Sequence, residues 1–333
     1  MWPLLFFIAA GLCVFVLAAG IYFFRFALLR HEPPDYAKKA KMKNTPVARY
    51  GDRIAACARA FDEMPFERIE IKSFDGLRLC GKYFAAENAR ATLVLMHGYH
   101  SAAGIDFGCA MPFLLREMRF NLLFAEQRTH GGSEGEYITF GVKERYDCRD
   151  WALYAAKKAQ DLPILLYGLS MGAATVLMAS GLDLPRQVAG IIADCGFTTP
   201  RAIFRHVLVH GLHLPVFPLL PLVAWFCRRF ADFSVDGAST LEALAKNTRP
   251  VLLIHGEEDT FVPTYMSLQN YEACQSEKML LTVKGAAHGL SYLVAEEACR
   301  AKIMAFFELC LREYHALAAS SRQQAAAPKS QVV

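Results

Sequence analysis

A serine flanked by two glycines, directly after a short apolar run, is the first place in this chain where residue types and spacing could do chemistry. Gly168-Leu169-Ser170-Met171-Gly172 follows Ile164 to Tyr167, which reads as a strand, and precedes Ala173, Ala174, Thr175 and Val176, which open a helix. In a strand-turn-helix setting this G-x-S-x-G pattern predicts a nucleophile elbow. The turn is tight enough that a Cβ on either glycine would collide with the neighbouring strand or helix, and the serine hydroxyl is held out above the sheet.

A serine hydroxyl is a poor nucleophile until a base takes its proton, and the base needs a third group to hold it in one tautomer. Behind such an elbow the chain order is Ser, acid, His. Asp259 stands in His255-Gly256-Glu257-Glu258-Asp259-Thr260-Phe261-Val262-Pro263, after the apolar run Val251 to Ile254. His288 stands in Gly285-Ala286-Ala287-His288-Gly289, after Met279 to Val283. Both follow the carboxyl ends of strands, on the serine's side of the sheet. Taken singly, Asp259 also suits a helix cap before Pro263 and His288 an ordinary loop histidine. Their order and placement point to a triad of Ser170, His288 and Asp259, with Glu257 and Glu258 as rival acids.

A tetrahedral intermediate needs amide donors for its oxyanion, one after the nucleophile and one from the loop after the third strand. These would be the backbone N–H groups of Met171 and of Tyr99 in His97-Gly98-Tyr99-His100. Gly98 lets that loop pass close to the serine, and His97 is expected to support the loop by hydrogen bonds. His130 and Asp194 read as structural. His206, His210 and His213 could share a helical face, but no Cys, Asp or Glu accompanies them in a metal-site pattern, so no metal is expected.

The elements that must position these residues alternate along the chain. Arg68 to Ser73 and Leu77 to Phe84, separated by Asp75-Gly76, predict an antiparallel hairpin at a sheet edge. Thr92 to Met96, Asn121 to Ala125, Ile164 to Tyr167, Val188 to Ala193, Val251 to Ile254 and Met279 to Val283 follow, separated by amphipathic stretches such as Val142 to Lys158. Short, largely apolar runs in this rhythm predict a mostly parallel sheet covered by helices on both faces, eight strands in all with the first pair antiparallel. Chemistry in such sheets gathers in the loops beyond the strands' carboxyl ends.

Cys195 to Arg249 breaks the rhythm, being long, apolar and punctuated by Pro200, Pro215, Pro218 and Pro221. It reads as a helical cap, about 196–249, inserted between strands six and seven; the prolines and histidines interrupt any second membrane span. The Ala-, Ser- and Gln-rich tail, 318–333, is expected to be disordered.

From Trp2 to Phe24 there is no charged residue. Helical residues at about 1.5 Å each make that stretch long enough to cross a hydrocarbon core of about 30 Å. A cleaved signal peptide is the competing reading, but the stretch is too long for an h-region and has no Lys or Arg ahead of it. Residues 1–30 are therefore expected to be a transmembrane anchor and 31–65 a basic, partly helical connector. Arg25, Arg30, Lys38, Lys39, Lys41, Lys43 and Arg49 follow the span against only Glu32 and Asp35, which predicts a cytoplasmic catalytic domain at 66–317. The same basic stretch suits anionic lipid headgroups or a solvated linker.

A net charge of +4 over 333 residues, with no arginine-rich helix or zinc-finger spacing, sets nucleic acid aside as a partner. The ten cysteines are scattered singly with no C-x-x-C pair, which favours a reduced setting, though an even count permits disulfides.

His97-Gly98-Tyr99 after a strand, Glu126-Gln127-Arg128-Thr129-His130-Gly131-Gly132-Ser133, the elbow, Asp259 and His288 together resemble the α/β-hydrolase superfamily. The resemblance is greatest to its bacterial esterase and serine-aminopeptidase-like branch and covers roughly 65–315. Glu126 departs from the Asp that such relatives often carry, in a supporting loop. The resemblance implies acyl transfer to water through an acyl-enzyme, with no cofactor. An apolar cap carrying Phe204, Leu208, Phe217, Trp225 and Phe226 suggests a hydrophobic or acyl small-molecule substrate. The same triad would also serve a peptidase, thioesterase or acyltransferase, and a membrane-tethered binding protein with a vestigial triad is the alternative outside enzymes.

Overall fold

The computed structural model describes residues 2–30, 46–159 and 162–326. Most of the basic flank expected at 31–65 falls on 31–45, outside the described residues.

All eight expected strands form, within two residues of their predicted ends: β1 Glu67–Lys72, β2 Arg78–Phe84, β3 Ala91–Met96, β4 Phe120–Ala125, β5 Ile164–Leu169, β6 Val188–Asp194, β7 Val251–Gly256 and β8 Lys278–Val283. They make one sheet in the order β1-β2-β4-β3-β5-β6-β7-β8. β1 and β2 pair antiparallel, β2 is antiparallel to β4, and every later pair is parallel. β3, β4, β6 and β7 are buried along their whole length. That two-sided burial is the reason they read as unbroken apolar runs rather than alternating ones.

Helices follow in chain order: α1 Trp2–Leu28, α2 Gly51–Glu63, α3 Ala103–Phe107, α4 Glu144–Lys158, α5 Met171–Ala179, α6 Pro200–His206, α7 Val216–Phe230, α8 Thr240–Leu244, α9 Tyr265–Ala273, α10 Ser291–Val294 and α11 Glu296–Ala326. One face of the sheet packs with Phe61, Phe107, Phe306 and Phe307. The other packs with Trp151, Val176 and Leu177. α11 continues to Ala326, past the Ala318 at which the sequence predicts a disordered tail, and 327–333 lie outside the described residues.

α6, α7 and α8 fill the insertion between β6 and β7; α6 and α7 build a third apolar cluster with α1, while Leu244 of α8 joins the cluster on the sheet face. Thr199 and Ser239 cap α6 and α8, their side-chain oxygens accepting Ala202 N at 3.0 Å and Glu242 N at 3.4 Å. α7 turns Leu219, Leu220, Val223 and Phe226 inward, which leaves Phe217 and Trp225 78% and 50% exposed. These two therefore do not roof a pocket as the cap composition suggests; an amphipathic helix cannot bury both its faces against one neighbour.

α1 is long and apolar enough to cross a membrane, about 40 Å at helical rise. It is bare through Phe15, and from Gly20 its Phe23, Phe24, Ala27 and Leu28 are buried against the folded domain. Its end is pinned by hydrogen bonds: Ile138 N donates to Leu28 O at 2.7 Å, and Tyr99 Oη donates to Phe26 O at 3.1 Å.

Candidate active site

Ser170 sits between the end of β5 and the start of α5 at φ 57°, a left-handed value that a non-glycine residue adopts only when its surroundings impose it. Its amide is fixed by Asp194 O at 2.8 Å. A Cβ on Gly168 would lie 2.1 Å from Gly172 O, in the helix, and one on Gly172 would lie 1.9 Å from Met96 O, at the end of β3. The two glycines are thus each required by a different wall of the turn.

The three residues picked out by order come together. His288 Nε2 lies 2.8 Å from Ser170 Oγ, and His288 Nδ1 lies 2.6 Å from Asp259 Oδ2. A carboxylate can only accept, so Nδ1 carries the proton and Nε2 offers its lone pair to the serine hydroxyl. Asp259 is fully buried, and its Oδ1 accepts the amides of Phe261 at 2.9 Å and Val262 at 2.8 Å. Burial pushes its pKa up, but hydrogen bonds from His255 and His288, the His288 charge and the Val262 amide together hold it well below the usual carboxylate range. The rivals point elsewhere: Glu257 accepts Thr282 Oγ1 at 2.8 Å, and Glu258 is exposed.

The loop after β3 runs beside the nucleophile. A Cβ on Gly98 would lie 3.4 Å from Ser170 Cβ, filling the space in front of the serine. Among the described residues neither the Tyr99 amide nor the Met171 amide has a hydrogen-bond partner. Met171 is the first residue of α5, whose opening N–H groups have no acceptor within the helix. Both are therefore available to an incoming oxyanion.

His97 holds the loop rather than reaching the serine. Its Nδ1 bonds Gly98 O at 2.8 Å and its Nε2 accepts Gln127 N at 3.1 Å, while Gln127 Nε2 donates to His97 O. Burial lowers its pKa to about 4, which keeps it neutral. His130 Nε2 accepts His100 N at 3.2 Å and is likewise structural. Glu126, the departure noted above, accepts Gly132 N at 2.6 Å and so closes its own turn. The His206 and His210 rings lie 4.7 Å apart, tilted by 33°, and His206 Nε2 bonds Thr260 O at 2.9 Å beside the Asp259 loop.

Two supporting residues escape sequence reasoning. Asp106, on α3, accepts Gly98 N at 2.6 Å and Ser101 Oγ at 2.6 Å, tying down the loop that carries Tyr99. Burial raises its pKa to about 6 against these hydrogen bonds and His288. His255, at the end of β7, bonds Val262 O at 2.8 Å and Ser267 Oγ at 2.6 Å and lies 3.2 Å from Asp259 Oδ2. A carbonyl only accepts, so its Nε2 is the donor and the imidazole braces the turn around Asp259. The only signal for either was its nearness in sequence to a predicted site residue.

Two cavities meet at Ser170. One of about 590 Å³ is lined by Tyr99, Asp106, Leu169, His288, Leu290 and Leu293. The other, about 180 Å³, is apolar and lies between α1 and the cap, against Phe23, Ala27, Phe204 and Val207. Phe26 and Tyr99 touch both.

A sequence model of the family described as Hydrolase_4, Serine aminopeptidase, S33, matches residues 87–231. The YqkD protein of Bacillus subtilis (strain 168) is 26% identical over 298 residues, which is 88% of this chain and 93% of that one. A Saccharomyces cerevisiae protein named as a membrane protein is 23% identical over 213 residues, 64% of this chain and 69% of its own. Among solved structures, the Pyrococcus furiosus esterase Pf2001 superposes with a TM-score of 0.59 at 21% identity, over 84% of this chain and 97% of its own. At that identity the likeness speaks to the fold. By its sheet order and these structural likenesses the chain has the α/β-hydrolase fold, and over residues 87–231 it resembles the serine-aminopeptidase family.

Proposed function

We propose that the chain is a serine hydrolase that cleaves acyl esters through Ser170, His288 and Asp259. The observation that carries this reading is the continuous hydrogen-bonded line from Asp259 Oδ2 through His288 to Ser170 Oγ, at 2.6 Å and 2.8 Å. Ser170 Oγ attacks the substrate carbonyl as His288 Nε2 takes its proton, and the oxyanion is received by the amides of Tyr99 and Met171. Collapse expels the alcohol, which takes the proton from His288. Water then repeats the attack on the acyl-enzyme, releasing the acid and restoring the serine.

The peptidase, thioesterase and acyltransferase alternatives use the same triad and differ in leaving group or acceptor. A panel of an acyl ester, its thioester and an aminoacyl anilide, assayed with wild type, Ser170→Ala and His288→Ala, separates them. The ester is expected to give the highest kcat/KM, and either variant to lower kcat by about 10⁴-fold or more. Faster anilide cleavage would move the assignment to peptidase, and no Ser170-dependent turnover of any of the three would overturn it.

We propose further that α1 is a retained membrane anchor with the catalytic domain on the cytoplasmic side. Support comes from the bare apolar length of α1, the basic residues that follow it, and the yeast relative named as a membrane protein.

A further inference from the structure

The anchor helix does more than end at the domain surface. Leu222 of α7 lies against Gly20, and Phe226 and Phe230 have their rings 5.6 Å and 6.1 Å from that of Phe24. The two helices therefore run in the same sense, and the start of α7 lies toward the Val16 side of α1. About twenty residues fill a hydrocarbon core, and counted from Trp2 they end near Tyr22. The Gly20 part of the α1–α7 contact then sits at the edge of the hydrocarbon, and the Phe24 part lies just beyond it at headgroup depth. The outward side chains of α7 fit that placement. Phe217, nearest the apolar end, and Trp225 are exposed, and the first charges, Arg228 and Arg229, come only in its last turn. That is the order of apolar, aromatic and basic residues that a leaflet and its headgroups favour.

The apolar cavity of about 180 Å³ lies beside this contact, between the end of α1 and the part of the cap that precedes α7. One wall is anchor, Phe23, Phe26 and Ala27; the other is cap, Phe204, Val207 and Leu212; its floor is Ser170. It exceeds the roughly 150 Å³ cavity that holds a benzene molecule, so it has room for on the order of six to eight carbons.

We propose that this cavity is the acyl-chain site and that it takes its chain from the bilayer, so that the substrate is a membrane-resident acyl ester and the anchor helix is a specificity element. The proposal rests on the serine-hydrolase reading above. The acyl tail lies between the anchor and cap residues, the ester carbonyl meets Ser170, and the headgroup or leaving group faces the larger cavity beside Asp106 and Leu290.

The test uses the full-length protein in phosphatidylcholine vesicles, with p-nitrophenyl octanoate dissolved in the vesicles and p-nitrophenyl acetate in the water. Wild type is compared with Phe26→Ala, which opens the anchor wall, and Leu212→Trp, which fills the cap side; both positions are partly exposed, so neither change unseats the core. The octanoate-to-acetate ratio of kcat/KM is expected to exceed one in wild type and to fall about tenfold or more in each variant. A wild-type preference for acetate, or a ratio unmoved by both variants, would overturn the proposal. Acetate turnover and fluorophosphonate labelling of Ser170 in the same vesicles report on the hydrolase reading separately. If both persist while the ratio stays fixed, only the acyl-site proposal fails.

Discussion

His288 Nδ1 lies 2.6 Å from Asp259 Oδ2, while the other Asp259 oxygen is taken by two backbone amides. The acid is therefore locked in orientation by its own loop before it orients the histidine. Asp259→Asn would keep an acceptor for the two amides but present an NH₂ to Nδ1, turning the imidazole to the tautomer whose Nε2 carries the proton. A loss in kcat on the order of 10⁴-fold is expected, with the thermal midpoint little changed. Glu257→Gln and Glu258→Gln should retain wild-type turnover. Full activity in Asp259→Asn together with loss in Glu258→Gln would reassign the acid.

Asp194, at the end of β6, gives a pH dependence of stability. Burial raises its pKa from 3.8 to about 6, although His255, His288 and a 3.2 Å hydrogen bond from Ser291 favour its charged form. A carboxyl with a raised folded pKa keeps its proton where the unfolded chain has already released it. Its contribution to stability is thus greatest below about pH 4 and declines as pH rises to about 6, by roughly 3 kcal/mol. Asp194→Asn keeps the Ser291 acceptor and removes the titration. Its thermal midpoint, compared with wild type at pH 4.5 and pH 7, should gain more at the higher pH. An equal difference at both would exclude Asp194 as the titrating group.

The elbow glycines make a sharper structural prediction. A Cβ on Gly172 meets backbone at 1.9 Å, which no rotamer change relieves, whereas one on Gly211 meets only the end of Val207 at 3.6 Å. Gly172→Ala should cost on the order of 3 kcal/mol or more, and Gly211→Ala should be neutral or slightly stabilising. Chemical unfolding midpoints distinguish them, and a Gly172→Ala variant as stable as wild type would contradict the steric account.

Orientation in the membrane is tested by protease added to intact spheroplasts. The catalytic domain should resist digestion until the membrane is opened. Cleavage from outside would place the domain on the opposite face and remove the positive-inside argument.

Much of this was legible in the chain because period and order carry it. Six apolar runs and one hairpin marked by its Asp75-Gly76 turn located eight strands, and Ser170, Asp259 and His288 were found because each follows a strand end in a set order. What stayed hidden depends on contacts between distant segments. Asp106 matters through one amide of a neighbouring loop, and His255 through a carbonyl seven residues on, relations that no periodicity encodes. The outward turn of Phe217 and Trp225 was missed for a related reason: composition says that a helix is apolar, and only packing against α1 decides which of its faces is covered. Phe26 and Ala27, at the end of α1, line a cavity that reaches Ser170, which the hydropathy of the helix alone could not express.

The central claim is that Ser170 is the activated nucleophile. Folded full-length protein is treated with a fluorophosphonate probe and its peptides are mapped by mass spectrometry, beside Ser170→Ala. A single covalent adduct on Ser170, absent in the variant and suppressed in His288→Ala, is the result predicted. Folded wild-type protein that carries no adduct on Ser170 would contradict the account.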